Sequence, residues 1–435
     1  MGSKYLTDKI TKPVTAYGFK GMNNLPEFAA KLLDRERQIT PQIVLNADVT
    51  DGGVLQVRGG YKLTKSLTNC HSLAGEERGL SAMLCVADGV EHPISLWRVE
   101  GQSAVELCEV TGPRAQVSYE EINNVIYASN PYWKGTYDLL AGTVSTWGIP
   151  LPLAPDIALV AGDLPPGNYS LCYTNVVGNR LGGNGPLVKI RWEGGQQGIQ
   201  LKNLPAGALC WITHPNGEKL FLAPVSGGVV SGQSPWMKPL PSFMVQPPPG
   251  FTHFVYAFGR IWGGMGKKVY YSDPGQYEWF RPANFLPFLE DVVLVAPTTG
   301  GLFVNSLKNT WFLDGTEPAK MNSRRTGNGA IPGTLSMVQV PANIAGGAQT
   351  NDLFAQLSKM PTPVWMSPTG FVVGTHGGNL TYVTENRMKI QPRTQGAGFY
   401  RVQDGIPQVI MSLYGLPEGG DSLKEFFVEG RLYTQ

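Results

Sequence analysis

Short β-rich runs recur in pairs along this chain, each pair joined by a turn of Gly, Asn or Asp, and no other feature restricts its fold as much. Ala82 to Val86 is followed by Asp88-Gly89 and Ile94 to Val99, and Val125 to Ala128 by Asn130-Pro131 and Thr136-Tyr137. Phe254 to Phe258 runs through Gly259-Arg260 to Ile261-Trp262, and a Gly263-Gly264 turn then leads to Val269-Tyr270-Tyr271. Leu302-Phe303-Val304 turns at Lys308-Asn309 into Trp311-Phe312-Leu313. Phe371-Val372-Val373 turns at Gly377-Gly378-Asn379 into Leu380 to Val383, and Phe399 to Val402 turns at Asp404-Gly405 into Val409-Ile410-Met411. Asp-Gly and Gly-Asn pairs supply the positive φ that tight hairpins require. A lone hairpin buries too little surface to be stable, so hairpins in this number must stack. The expected fold is all-β, a β-propeller of about six blades. The spacing between hairpins is not constant, which makes the repeat degenerate.

Composition agrees. Charged residues are 16% of the 435, while Gly (54) and Pro (34) are abundant. That balance favours turns between short strands over long solvated helices. With 42% hydrophobic and 10% aromatic residues the chain can bury a large core. Only Pro26 to Arg37 reads as helical, with Phe28, Leu32 and Leu33 on one side and Asn24 as its cap.

The stretch from about Pro155 to Pro235 breaks the hairpin pattern. In Asn168 to Val176, Tyr169, Leu171, Tyr173 and Asn175 alternate onto one face. About seven short strands in this stretch have the proportions of an immunoglobulin-like β-sandwich. Pro247-Pro248-Pro249-Gly250 marks its exit as a stiff linker. The expected domains are an arm with a short helix over 1–40, propeller over 41–150 and 241–435, and an inserted sandwich over 151–240. Pro-rich joints predict a separable insert with few crossing contacts.

Against that background, particular motifs point to a family. Gly21-Met-Asn-Asn24, Asn46-Ala-Asp-Val-Thr-Asp-Gly-Gly53 and Val57-Arg-Gly-Gly-Tyr61 resemble the opening of tail hub and nozzle proteins of short-tailed bacteriophages, with Gly59 where Pro is commoner. Gly259-Arg-Ile-Trp262, Lys268-Val-Tyr-Tyr-Ser-Asp-Pro274 and Trp279 are similar to a signature of the same family, continued by Gly301 to Val304, Trp311 to Gly315 and Gly398 to Gly405. Gly162 to Asn179 resembles a fibronectin-type-III-like element found in some members. The resemblance implies a structural virion protein of the tail, assembled in the cytoplasm of the bacterial host. Its partners would be itself, in a six-fold homo-oligomeric ring, and the tail adaptor or portal and tail fibres. The ring would close the DNA-ejection channel, through which viral DNA passes without being held.

Charge and motifs set limits on chemistry. The net charge is +2, and the densest basic spots are Lys267-Lys268 and Arg324-Arg325. That is too little for tight phosphate binding. The expected cofactors are none. Ser272-Asp273-Pro274-Gly275 with Trp279 approaches the sialidase Asp-box, but its spacing fails, so these four residues read as a structural turn with Asp273 in an Asx-turn. Gly263-Gly264-Met265-Gly266-Lys267-Lys268 lacks the phosphate-loop spacing. The five histidines have no metal-ligand spacing. No Gly-x-Ser-x-Gly elbow is present, and Glu120-Glu121 is an adjacent pair, unlike the separated carboxylates of glycosidases. Cys70, Cys85, Cys108, Cys172 and Cys210 form no disulfide framework. Cys85 and Cys108 could be strand neighbours, but buried free thiols are commoner in such cores. Cys172 and Cys210 read as free thiols, although their separation would also allow a bridge between sheets. Met1-Gly2-Ser3-Lys4-Tyr5 leads into polar and Pro residues, and no apolar run is long enough to span a bilayer.

A non-catalytic structural protein is the leading expectation. A sialidase-like propeller glycosidase acting on host polysaccharide and a carbohydrate- or receptor-binding module remain open. Recognition is expected on two loops, Gly178 to Pro186 and Ser323 to Gly333, with Asn179, Arg180, Asn184, Arg324, Arg325 and Asn328 as candidate contacts.

Overall fold

The computed structural model describes residues 65–75, 82–232, 238–339, 360–384, 395–403 and 406–414, with the strand segments 18–19, 38–39, 47–49, 55–57 and 426–431. The expected helix and the Gly21–Asn24 motif lie outside the described residues. Of the next two motifs, Ala47–Val49 pairs antiparallel with Leu55–Val57. The chain is all-β, of propeller-type blades with an inserted sandwich. It divides into two units, 67–297 with 316–321, and 1–66 with 298–315 and 322–435.

The unit centred on 67–297 holds three four-stranded antiparallel sheets, each in up-and-down order. This is the form of a propeller blade. The first comprises His71–Gly75, Ala82–Ala87, Ser95–Glu100 and Ser103–Glu109. The second comprises Ser118–Ile122, Val125–Ser129, Lys134–Asp138 and Thr143–Thr146. The third comprises His253–Ala257, Arg260–Met265, Lys268–Asp273 and Gln276–Pro287. Inner strands such as Val125–Ser129 are buried on both faces, so they read as continuous apolar runs rather than alternating ones.

The sandwich lies in sequence between the second and third blades. One sheet joins Ile157–Leu164, Gln197–Leu201, Val229–Val230 and Val225–Ser226. The other joins Arg180–Asn184, Gly167–Val177, Leu209–Thr213 and Leu220–Leu222, with Val188–Trp192 also on Gly167–Val177. Tyr169, Leu171 and Tyr173 point into the core between the sheets, against Leu164, Ile199, Leu201, Ile212 and Val230. Tyr169 stacks on Trp192 at 4.7 Å between ring centroids and 4° between planes. Its hydroxyl donates to the Pro165 carbonyl at 2.8 Å, so burial of the ring leaves no orphaned donor. Cys172 faces the opposite side with Trp211 and Leu220.

Blades two and three meet directly despite the intervening insert. Trp147, Tyr127, Ile122, Phe251, Phe254, Ile261 and Phe280 form one buried cluster. Trp147 lies 5.1 Å from Tyr127 and 4.9 Å from Phe254, centroid to centroid.

Besides two short strand pairs within 18–57, the described residues of the other unit supply strands to two more up-and-down four-stranded sheets and to one three-stranded sheet. They are Gly301–Asn305 with Asn309–Asp314 and Asn322–Asn328, then Ser336–Val338 with Thr362–Ser367, Gly370–Gly374 and Leu380–Tyr382. The last joins Gln395–Gln403, Ile406–Tyr414 and Phe426–Arg431. Phe303, Phe312 and Trp365 form its aromatic centre.

Two glycine readings change. Gly263 and Gly264 make no turn; they lie inside Arg260–Met265, and the turn follows at Gly266-Lys267. A Cβ on Gly263 would stand 2.4 Å from the Phe251 ring, so the residue is small to admit that ring. The two expected recognition loops are mostly strand. Arg180 and Asn184 lie in Arg180–Asn184, and Arg324, Arg325 and Asn328 lie in Asn322–Asn328. Only Asn179 sits in a turn, the two-residue link Gly178-Asn179. Gly183 shows why the first loop failed: its added Cβ would be 1.8 Å from the Val245 carbonyl oxygen, so the glycine marks a close packing contact.

Candidate functional site

The signature residues and the sandwich converge on one joint, built on the last strand of the third blade. Gln276–Pro287 carries Tyr277, Glu278, Trp279 and Arg281. Glu278 pairs with Arg180 of the sandwich, both side chains mostly withdrawn from solvent. Trp279 Nε1 donates to the Leu181 carbonyl at 3.1 Å. Two adjacent residues of the blade thus grip two adjacent residues of one sandwich strand. Nearby, burial first and the Glu278 charge next push the Tyr127 phenol up to about 12.

The return segment 238–250 is bound at several points. Gln246 and Phe280 exchange backbone hydrogen bonds of 2.8 and 3.1 Å. The buried Ser242 hydroxyl donates to the Gly182 carbonyl at 2.7 Å, and the Met244 amide donates to Asn184 Oδ1 at 2.6 Å. Lys134 donates to the Pro248 carbonyl, and desolvation holds its ammonium below the ordinary lysine range. The Phe251 amide donates to the Ser129 hydroxyl at 2.9 Å. The few crossing contacts expected at the insert's exit are not what is found: the segment is held by hydrogen bonds with the sandwich and with both flanking blades.

Asp273 changes role as well. Pro274-Gly275 is a two-residue turn, with Gly275 at φ 68°, and so the structural turn stands. The Asx-turn does not. Asp273 Oδ2 accepts from Arg281 Nε at 2.9 Å, and its Oδ1 accepts from Asn284 at 3.0 Å. Arg281 donates onward to the Phe243 carbonyl at 2.8 Å. Ser272 is buried, and its hydroxyl accepts the Ile261 amide at 3.0 Å. Arg260 donates to the Ser272 carbonyl at 2.7 Å and its guanidinium lies over the Tyr271 ring.

The remaining candidates are dispersed. Asn179 is exposed. Arg324 lies over the Phe312 ring, 5.4 Å from its centroid, and donates to the Gly377 carbonyl. Arg325 is exposed opposite Trp311, and the Asn328 amide donates to the Tyr382 hydroxyl at 3.2 Å. Glu120 accepts the Tyr256 amide at 3.1 Å, tying blade two to blade three. Cys85 and Cys108 are not paired neighbours: Cys85 stands opposite Trp97 and Cys108 opposite Leu96. Cys172 and Cys210 lie on adjacent strands of one sheet, in register with Trp211 and Tyr173 respectively, so they do not face each other across the sandwich. Both are free, and burial raises both thiols to about 12.

Among the described residues no three His, Cys, Asp or Glu side chains gather as a metal site, and no helix is long and apolar enough to cross a membrane. An open groove of about 550 Å³ on the sandwich is lined by Asn168, Ser170, Lys189, Arg191, Asn216 and Glu218, among others. Sequence reasoning missed Glu278, whose signal was a lone carboxylate between Tyr277 and Trp279 in an aromatic run. What the joint can do chemically is bind protein to protein. The Arg180–Glu278 pair ties the blade to the sandwich, and the Arg281–Asp273 pair ties two strands within the blade.

No family model and no curated protein matches the chain. Among solved structures it is similar to BBS1N in complex with ARL6DN, at 9% identity over 82% of this chain and 94% of that one, with a TM-score of 0.32. It is similar to Sqt1 of Saccharomyces cerevisiae at 10% identity over 76% of each chain (TM-score 0.28). AztD from Citrobacter koseri aligns at 11% identity over 71% of this chain and 84% of that one (TM-score 0.26). Likenesses this distant place no constraint on function.

Proposed function

We propose that this protein is a structural subunit of a short-tailed bacteriophage tail, acting through assembly. In this reading it forms a homo-oligomeric ring, six-fold by resemblance, that extends and closes the DNA-ejection channel. The tail adaptor or portal sits on one side, and fibres attach to the ring. The observation that carries the reading is the joint. The segments that resemble the tail-protein signature, Gly259 to Trp262, Lys268 to Pro274 and Trp279, all belong to one blade, and that blade holds the inserted sandwich. A blade that carries the signature and braces the sandwich through Trp279 supports a mechanical role. The near-neutral net charge of +2 supports DNA passing without being held.

The test is electron microscopy of the purified chain and of particles, run beside a glycan-hydrolysis assay. Ring or tube density without turnover is expected. Robust turnover abolished by one Asp or Glu substitution, with no ring density, overturns the reading. The polar groove on the sandwich favours a second reading, a carbohydrate- or receptor-binding module. It offers one carboxylate, Glu218, beside Lys189 and Arg191, whereas glycoside hydrolysis uses two carboxylates. Glycan binding lost on Arg191→Ala would favour that module.

A further inference from the structure

The outer face of one sandwich sheet changes character along the strand Gly167–Val177. Tyr169 and Leu171 point into the core, so Asn168, Ser170 and Cys172 point outward. At Cys172 that face is apolar and packs with Trp211, Leu220 and Leu240, the last from the return segment. At Asn168 and Ser170 it is polar and lies open as the groove of about 550 Å³. Val188–Trp192 forms one side of the groove. Arg191 stands opposite Asn168 and Lys189 opposite Ser170, so both cations share the outward face, about 7 Å apart along the strand. The turn at 216–218 forms the other side, because Leu209–Thr213 pairs on the opposite edge of Gly167–Val177. Asn216, at φ 60°, accepts through Oδ1 from the Asn168 amide at 3.1 Å and from Asn168 Nδ2 at 3.0 Å. These bonds interlock the two side chains and leave Asn168 Oδ1 and Asn216 Nδ2 unengaged among the described residues. Lys189 has no ion pair among the described residues, and Arg191 has a surface pair with Glu193 in which both side chains are mostly exposed. Exposed pairs of that kind are weak, so both cations can turn to a ligand.

We propose that this groove binds an acidic saccharide, its carboxylate between Lys189 and Arg191 and its hydroxyls on Asn168, Asn216 and Glu218. A guanidinium and a carboxylate make parallel charge-assisted hydrogen bonds, and an ammonium one strand repeat away adds a second anchor. Asparagine amides and a carboxylate suit sugar hydroxyls, because each accepts and the amides also donate. Charge is divided across the groove, with the cations on one side and Glu218 on the other. A polyanion such as nucleic acid would set phosphates against Glu218, whereas a sugar with one acidic group suits both sides. Tyr169 is the aromatic residue of the lining and is buried, so it offers no open ring to the face of a neutral sugar. Lysine and arginine on an edge strand also guard it against pairing with another chain. That role needs neither a concave surface nor interlocked asparagines.

The ligand class rests on the second functional reading and is independent of the tail reading. Its test is isothermal titration of the full chain with a galacturonate hexamer, beside a neutral glucose hexamer and a short DNA duplex. The galacturonate hexamer should bind, and its affinity should fall as salt rises. The other two should bind at least about tenfold more weakly. Arg191→Ala and Lys189→Ala should each weaken galacturonate binding about tenfold, and Lys189→Arg should keep most of it. Glu218→Ala should weaken it about threefold through the lost hydroxyl acceptor, where a merely cationic surface would gain affinity. The three positions are exposed, so the variants should fold, with an unchanged urea midpoint as the check. Equal binding of the neutral hexamer overturns the acidic assignment and leaves the second reading standing. Duplex bound as tightly as galacturonate, or tighter galacturonate binding by Glu218→Ala, overturns the assignment in favour of an unspecific cationic face. Binding of neither saccharide overturns the assignment and the second reading together.

Discussion

The inserted sandwich and the 253–287 blade are both antiparallel sheets, yet different forces hold them. The sandwich is a two-sheet core in which alternate residues, Tyr169, Leu171 and Tyr173, are buried between layers. The blade shares an aromatic cluster with its neighbour through Trp147, Phe251 and Phe254. It adds polar bonds to the sandwich through Glu278 and Trp279. Apolar burial is tolerant of small shifts, whereas a half-buried ion pair and an indole hydrogen bond demand one geometry. The sandwich has its own core; the joint gives it a fixed orientation.

The largest expected effect is at the seam between blades. Trp147→Ala removes the centre of the aromatic cluster and the indole donor to the Tyr277 carbonyl. It should cost about 3–5 kcal/mol, read from urea denaturation. A loss below about 1 kcal/mol would place the strength of the seam elsewhere. Next, Leu171→Ala in the sandwich should cost about 2–5 kcal/mol. Because the sandwich is clamped to the blade, its unfolding should coincide with that of blades two and three. A separate earlier transition would make it an independent module and restore the separable insert.

A smaller effect tests the joint itself. Arg180→Ala leaves Glu278 mostly buried without its partner and should cost about 1–3 kcal/mol. A double-mutant cycle with Glu278→Ala should return a coupling of about 1–2 kcal/mol. Zero coupling would reduce the pair to a surface contact.

The smallest effects concern pH and separate the two regions by sign. Burial lowers His253 on the blade from 6.5 to about 4. Below pH 6.5 the unfolded chain takes up a proton that the folded chain refuses. The blade should therefore lose stability as pH falls from about 6.5 toward 4, by up to about 1.4 kcal/mol per pH unit. His253→Asn should flatten that limb. In the sandwich, Cys172 and Cys210 are raised from 9.0 to about 12. Their contribution is complete below pH 9 and fades as pH rises toward 12, so Cys172→Ala should flatten the alkaline limb. Equal acid sensitivity of wild type and His253→Asn would remove this distinction.

The sequence by itself determined the all-β class, the hairpins and the sandwich, because those rest on local rules. Alternation in Asn168 to Val176 placed Tyr169, Leu171 and Tyr173 on the core face, where they lie. Asp-Pro-Gly at 273–275 marked a turn because glycine takes positive φ cheaply. Reading failed where a residue's role depends on a distant neighbour. Gly183 and Gly263 looked like turn residues, and only the approach of Val245 and Phe251 shows that they clear space. Arg180 looked like a loop cation until its strand brought it to Glu278, 98 residues along the chain. Periodicity records which face a residue takes, but not what the fold will set against that face, and here the joint was decided by what arrived there.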